Sequence, residues 1–169
     1  DLPRKEDYYN IIDAIIKSIK LGNLDKVVIS RMKHIVLEKK ICINSIMRNL
    51  INLYPECLNY YFNFTNGILF GSSPERLIQK QQQIIFTEAI AGTAPRGKNI
   101  KQDNQFENQL LNSKKDKKEH QFVVNEIIDK IKPISNSYDV TDKPSVIKLK
   151  NVQHLKTIIN ADISKKYNL

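Results

Sequence analysis

Five stretches of this sequence carry ionisable or ligand-cradling residues where a plain scaffold has little use for them. Lys26 opens KVVISRMKHIV (residues 26–36), a run otherwise rich in β-branched residues. A lysine titrates near ~10.4 and becomes a useful base only where burial or neighbouring cations lower that value. On position alone, a solvated strand-edge lysine is the better reading. Glu75 follows the turn Gly71-Ser72-Ser73-Pro74 in FGSSPERL (residues 70–77). Such a turn holds a carboxyl group at a fixed place on a sheet rim, where desolvation would raise its pKa enough to make it an acid. A water-exposed Glu75–Arg76 turn is the competing reading. The third stretch is TEAIAGTAPRG (residues 87–97). Ala91, Gly92 and Thr93 are small enough to let a ligand approach backbone N–H groups, as in loops that bind carboxylates and phosphates. No Gly-Lys-Ser/Thr follows, so it is not a P-loop, and a tight connection would look the same. Asp116 and Glu119 lie three residues apart on a predicted helix and share a face, as hard-cation ligands do and as a surface salt-bridged to Lys115 and Lys118 would. His154, in Val152-Gln153-His154-Leu155, suits a core or hydrogen-bonded histidine as well as a ligand contact.

The elements that must position these groups follow from hydrophobic spacing. Ile11, Ile12, Ile15, Ile16 and Ile19 recur at three and four residues and predict a helix over 8–21, stopped by Gly22. Residues 26–36 predict a strand and 43–53 a second helix ending before Pro55. Short apolar or alternating runs at 58–64, 68–71, 75–79 and 84–88, separated by turn residues, predict an antiparallel meander. Two glycines and a proline make 91–97 a loop. Helices are expected over 104–111 and 114–131, the latter with Phe122, Val123, Ile127 and Ile131 on its apolar face, and a strand over 146–149. The uneven order of helices and strands predicts an α+β fold with a mainly antiparallel sheet. Nothing in the composition marks a linker, so one domain over 1–169 is expected.

Hydrophobic residues at 41% and charged residues at 27% argue for a packed core over disorder. No apolar run approaches the roughly 20 residues of a membrane helix, so the chain reads as soluble and cytoplasmic, with no membrane partner. Cys42 and Cys57 stand in unrelated contexts, which predicts two reduced thiols and no zinc site. The net charge of +9 invites a polyanion. It is spread along the chain, however, and no aromatic residues interleave with Lys114, Lys115, Lys117 and Lys118, so no nucleic-acid face is expected. The start at Asp1 and the lack of a helix stop before Leu169 read as the ends of an excised segment.

In this order, five segments resemble the chorismate-binding family of isochorismate synthases, salicylate synthases and anthranilate synthase component I. They are KVVISR (26–31), FGSSPERL (70–77), TEAIAGTAPRG (87–97), SKKDKKEHQFVV (113–124) and VQHLKT (152–157). The resemblance implies that Lys26 activates water as general base and that Glu75 is the general acid protonating the departing C4 hydroxyl of chorismate. It makes Glu119 a ligand of Mg²⁺, Ala91, Gly92 and Thr93 a substrate-binding loop, and His154 a neighbour of the substrate ring. Anthranilate synthases resemble this pattern but carry Gln where Lys26 stands, and aminodeoxychorismate synthases carry Lys where Ala91 stands. The resemblance therefore points to an isochorismate synthase feeding menaquinone or siderophore synthesis. A salicylate synthase and a non-catalytic ligand-binding remnant of the same fold are the alternatives. It also implies a further stretch past Leu169 with a second glutamate for Mg²⁺, an arginine and a Gly-rich loop, so that the domain here is partial and inactive alone. The oligomeric state is not legible.

Overall fold

Isoleucines at helical spacing form α1 (Lys5–Lys20), whose first turn carries Glu6 and Asp7 and whose last carries Lys17 and Lys20, the arrangement a helix dipole favours. Gly22, at φ +74, stops it. Its N–H donates to the Ile19 carbonyl (3.0 Å) and that of Asn23 to the Ser18 carbonyl (3.1 Å), the paired bonds of a left-handed helix terminus. This computed structural model describes residues 2–167.

Residues 26–36, expected as a strand, are irregular instead. They make one isolated bridge, in which Leu2 and Met32 exchange N–H···O bonds of 2.9 and 2.8 Å. The Arg31 guanidinium lies 5.9 Å from the Tyr8 ring centroid. β-Branched residues favour extended backbone, but a strand also needs a neighbour along its length, and among the described residues this segment meets a single bridge. Residues 1–41 form one compact unit and 42–169 a second.

The second unit opens with α2 (Ile43–Leu53), followed by β1 (Leu58–Phe64) and β2 (Gly67–Ser73). These two strands pair antiparallel, Tyr60 opposite Gly71, around a tight turn at Thr65 and Asn66. The next strand is shorter and later than the expected 75–79: β3 is Gln79–Gln81. It turns at Gln82 (φ 55) into β4 (Ile84–Pro95). β4 thus runs on through Ala91, Gly92 and Thr93, which the glycine and proline content had marked as loop. Its partner is β7 (Val152–Ile163), and β5 (Ser135–Val140) and β6 (Ser145–Lys148) pair with the other edge of β7. All of these pairings are antiparallel.

Two helices stand between β4 and β5: α3 (Ile100–Asn112) and α4 (Lys114–Ile131). Side-chain oxygens of Asn99 and Ser113 accept from the Gln102 and Asp116 N–H groups (3.0 and 3.2 Å), and such caps are worth ~1 kcal/mol each. The α4 stripe that packs on the sheet is His120, Val124 and Ile131, with Val123, Ile127 and Ile128 partly buried beside it. Phe122, expected on that face, lies on the flank, 5.9 Å below the Lys118 ammonium. Ala89, Val124, Ile131, Ile159 and Ala161 form the core. Fully burying Ile159 contributes on the order of 1.5–3 kcal/mol. The fold is α+β with helices on antiparallel sheet, as the sequence predicts.

Candidate active site

The middle of β4 and β7 carries the chemistry. Ile85, Thr87 and Ala89 on β4 and Gln153, Leu155, Thr157 and Ile159 on β7 are buried. The intervening residues, Glu88, Ile90, His154 and Lys156, therefore occupy the opposite face of the sheet. A β-bulge breaks the alternation. Ala91 pairs with Leu155 and Thr93 with His154, so Gly92 is the extra residue, at φ +80. The bulge puts Thr93 on the same face as His154, and the Thr93 hydroxyl lies 2.9 Å from His154 Nδ1. Burial pushes the His154 pKa below its ordinary value, with the Gly92 backbone pulling weakly the other way.

The same bulge seats α4. A side chain at Gly92 would meet Asp116 Cβ at 3.2 Å and Leu155 Cδ1 at 3.3 Å, so the first turns of α4 lie against bare backbone. One turn on, His120 Nδ1 is 3.2 Å from the Ala91 carbonyl, and its Nε2 is 2.7 Å from the Thr157 hydroxyl. A carbonyl only accepts, so Nδ1 carries the proton and Nε2 accepts from Thr157. Burial lowers the His120 pKa and keeps this neutral form. Glu119 is thereby held on the turn between two anchors, Asp116 on Gly92 and His120 on Ala91.

Glu75 lies on the irregular segment between β2 and β3, and both it and Arg76 are exposed residues, as the competing reading of that turn had it. Its N–H approaches the Ser73 hydroxyl at 3.4 Å, and the Thr87 hydroxyl donates to the Leu77 carbonyl at 2.7 Å, tying the segment to β4. A cleft of about 390 Å³ opens here, walled by Pro74, Glu75, Arg76, Glu88, Ile147 and Lys156. Partial desolvation, and then the negative charge of Glu88, push the Glu75 carboxyl above its ordinary value. Lys156 Nζ holds the Glu88 carboxylate at 3.0 Å.

Beyond the bulge, β4 ends in a locked turn. Arg96 grips both oxygens of Asp103 (2.7 and 3.0 Å), the Gly97 N–H donates to Asp103 (2.9 Å), and Lys148 bridges Asp103 and Glu107 (3.2 and 2.7 Å). Hydrogen bonds from Arg96, Gly97 and Lys148 hold the Asp103 carboxyl well below the usual carboxylate range, against the opposing effect of burial.

The structure thus gathers Glu75, Ala91, Gly92, Thr93, Glu119 and His154 into the second unit, around β4 and the elements packed on it. Lys26 belongs to the first unit and is half-buried. Sequence reasoning overlooked Glu88, Lys156, His120 and Asp103. For Glu88 and Lys156 a signal was present: an isolated charge in the middle of each of two apolar runs, a position where charge is expensive unless paired. The thiols of Cys42 and Cys57 are both free, and no helix among the described residues is long and apolar enough to cross a membrane.

Glu75 and the Glu88–Lys156 pair line a cleft of small-molecule size, and His154 and the Gly92 bulge lie further along the same two strands. The chain belongs to the chorismate binding enzyme family, whose model matches residues 1–169. It is 31% identical to isochorismate synthase MenF of Escherichia coli K12 over 164 residues, which span 96% of this chain and 38% of that protein. It is 32% identical to anthranilate synthase component 1 of Saccharolobus solfataricus over 166 residues, 97% of this chain and 39% of the relative. Among solved structures, one described as a putative 2,3-dihydroxybenzoate-specific isochorismate synthase, DhbC, from Bacillus anthracis superposes with a TM-score of 0.83 at 27% identity. The match covers 97% of this chain and 45% of that one. The chain spans about two-fifths of the length of these curated relatives.

Proposed function

We propose that this chain carries the acid–base half of an isochorismate synthase, which converts chorismate to isochorismate in the cytoplasm. Lys26 takes a proton from water as the oxygen bonds to C2 of chorismate. The ring double bonds shift, the C4–oxygen bond breaks, and Glu75 delivers its proton to the departing hydroxyl, which leaves as water. One water enters and one leaves, so no redox partner is needed. Thr93 and His154, fixed on one another across the bulge, orient the substrate, and Ala91 with bare Gly92 shapes the backbone that presents Thr93.

The donor set on α4 fits Mg²⁺ as a shared site. Among the described residues no cluster of three or more His, Cys, Asp or Glu side chains is placed to hold a metal. Mg²⁺, however, is commonly held by one or two carboxylates and completes its shell with water and substrate oxygens. Glu119, with Asp116 one turn away, offers that number. The ion would supply positive charge to grip the substrate carboxylate.

The observation that carries this reading is Glu75. A carboxyl at the wall of a ligand-sized cleft, pushed up by desolvation and by a neighbouring carboxylate, is suited to hold a proton until a leaving group takes it. Lys26 favours water over ammonia as the nucleophile, since the related anthranilate synthases carry Gln there.

The test is a product assay with chorismate and Mg²⁺ on this chain and on any longer product of the same gene. Isochorismate, lost by on the order of 10²-fold or more in Lys26→Ala and Glu75→Ala, supports the assignment. Salicylate with pyruvate moves the protein to the sister activity. Anthranilate in the presence of ammonia, or no turnover from a folded protein of the relatives' length, overturns it.

A further inference from the structure

The cleft that holds Glu75 also holds an ion pair with no part in the chemistry above. Across the β4–β7 ladder Glu88 faces Ile158 and Ile90 faces Lys156, so Glu88 and Lys156 are diagonal neighbours on one face. Their side chains are only 14% and 21% exposed, and oxygen and Nζ are 3.0 Å apart. Desolvating two charges on central strands is costly, and hydrophobic residues would hold the sheet at least as well. Stability is therefore a poor reason for this pair.

We propose that Glu88 and Lys156 are positioning residues for the reaction and act through Glu75: the Glu88 carboxylate opposes a second negative charge in the cleft and so keeps the proton on Glu75, while Lys156 holds the Glu88 carboxylate in place and offsets part of its charge. The inference rests on Glu75 being the acid of the proposed function.

The local structure supports this division of labour. The Thr87 hydroxyl, one residue before Glu88, anchors the Leu77 carbonyl at 2.7 Å and so brings the Glu75 segment onto β4. Glu75 and Glu88 wall the same cleft, where the other charged or titratable groups are Lys156, Glu56, Arg76 and the Cys57 thiol. Glu56 adds charge of the same sign as Glu88, and Arg76 opposes both. Two carboxyl groups sharing one wall do not ionise independently. The partner is what separates them. Glu88 has Lys156 at bonding distance, whereas the Glu75 carboxyl is raised by partial desolvation and then by Glu88.

Carbon-13 NMR titration of the glutamate carboxyl groups in the 169-residue chain tests this without substrate. In Glu88→Gln, the Glu75 midpoint falls part of the way to its ordinary value. In Lys156→Met it rises, because Glu88 loses its counter-charge. A merely structural pair would not move Glu75 in opposite directions. An unmoved Glu75 midpoint in Glu88→Gln, or shifts of the same sign in both variants, overturns the inference. Should neither variant fold, the unaltered chain decides. A Glu75 midpoint above 4.5 that drops as added salt screens Glu88 sustains the inference. A midpoint at or below 4.5, or one indifferent to salt, overturns it. These titrations stand whether or not chorismate is turned over, so a failed product assay sinks the proposed function and not this coupling. In an active enzyme, Glu88→Gln shifts the alkaline limb of the pH–rate profile to lower pH, in step with the Glu75 midpoint.

Discussion

Asp116 Cβ stands 3.2 Å from the point where Gly92 would carry a side chain. The first turn of α4 and the bulge of β4 therefore define one another's position. The carboxylate helix and the backbone of residues 91–93 are held together at a point that tolerates no Cβ.

Gly92→Ala meets two obstacles, a φ of +80 that L-residues resist and contacts at 3.2 and 3.3 Å to Asp116 and Leu155. The backbone conformation alone costs about 1–2 kcal/mol. Denaturant melts should show a loss of at least that size, with the greatest loss of amide protection in β4 and the first turns of α4.

Asp103→Asn removes the carboxylate that Arg96, the Gly97 N–H and Lys148 share. The folded pKa is depressed, so this stabilisation is present above the ordinary value of 3.8 and is lost as pH falls toward the folded value. The variant melts below the parent at pH 7, and the gap narrows below pH 3.8. A gap that stays constant through the acid range would refute the ionised role of Asp103.

His154 runs in the opposite sense to a salt-bridged histidine. Its folded pKa is lowered, so the unfolded chain binds the proton first, and stability is lost as pH drops below the ordinary 6.5. His154→Gln should flatten the decline in melting temperature between pH 7.5 and pH 5.5, both values chosen to bracket that midpoint at ~6.5. His120 contributes a decline of its own, so the slope shrinks without vanishing.

Glu119→Gln keeps the shape of α4 but weakens a metal donor. Under the proposed function, the Mg²⁺ concentration for half-maximal turnover rises at least about tenfold, the lower bound for loss of even an outer-shell partner. Unchanged Mg²⁺ dependence would remove Glu119 from the ligand set.

The sequence was most readable where local spacing and burial agree. The helix at 43–53, the strand at 58–64 and the helix at 114–131 were predicted with the bounds found. β7 went unread because its buried set, Gln153, Leu155, Thr157, Ile159, mixes polar with apolar residues, while Ile158 faces the other way. β5, SNSYDV, is largely exposed and has no apolar period to detect. At 91–97 glycine and proline suggested a loop, whereas Gly92 serves a bulge and Pro95 closes the strand, a distinction that depends on the β7 partner. Residues 26–36 erred the other way, since composition favoured a strand that no ladder completes. Among the site residues, Glu75 and His154 were marked by their flanking motifs. Glu88 and Lys156 became a pair only when β4 met β7.

β7 lies between β4 on one side and β5 and β6 on the other, and among the described residues it follows the other strands in chain order. During synthesis β4 is made some 60 residues before its central partner, and β5 and β6 likewise wait for theirs. Sheet assembly is thus a late, long-range event, slow by the rule that distant pairings delay folding. Until those twelve residues emerge, β4 is a twelve-residue template open to strands of other nascent chains. The yield of folded protein should depend more on how promptly β7 is delivered than on the intrinsic stability of the finished sheet.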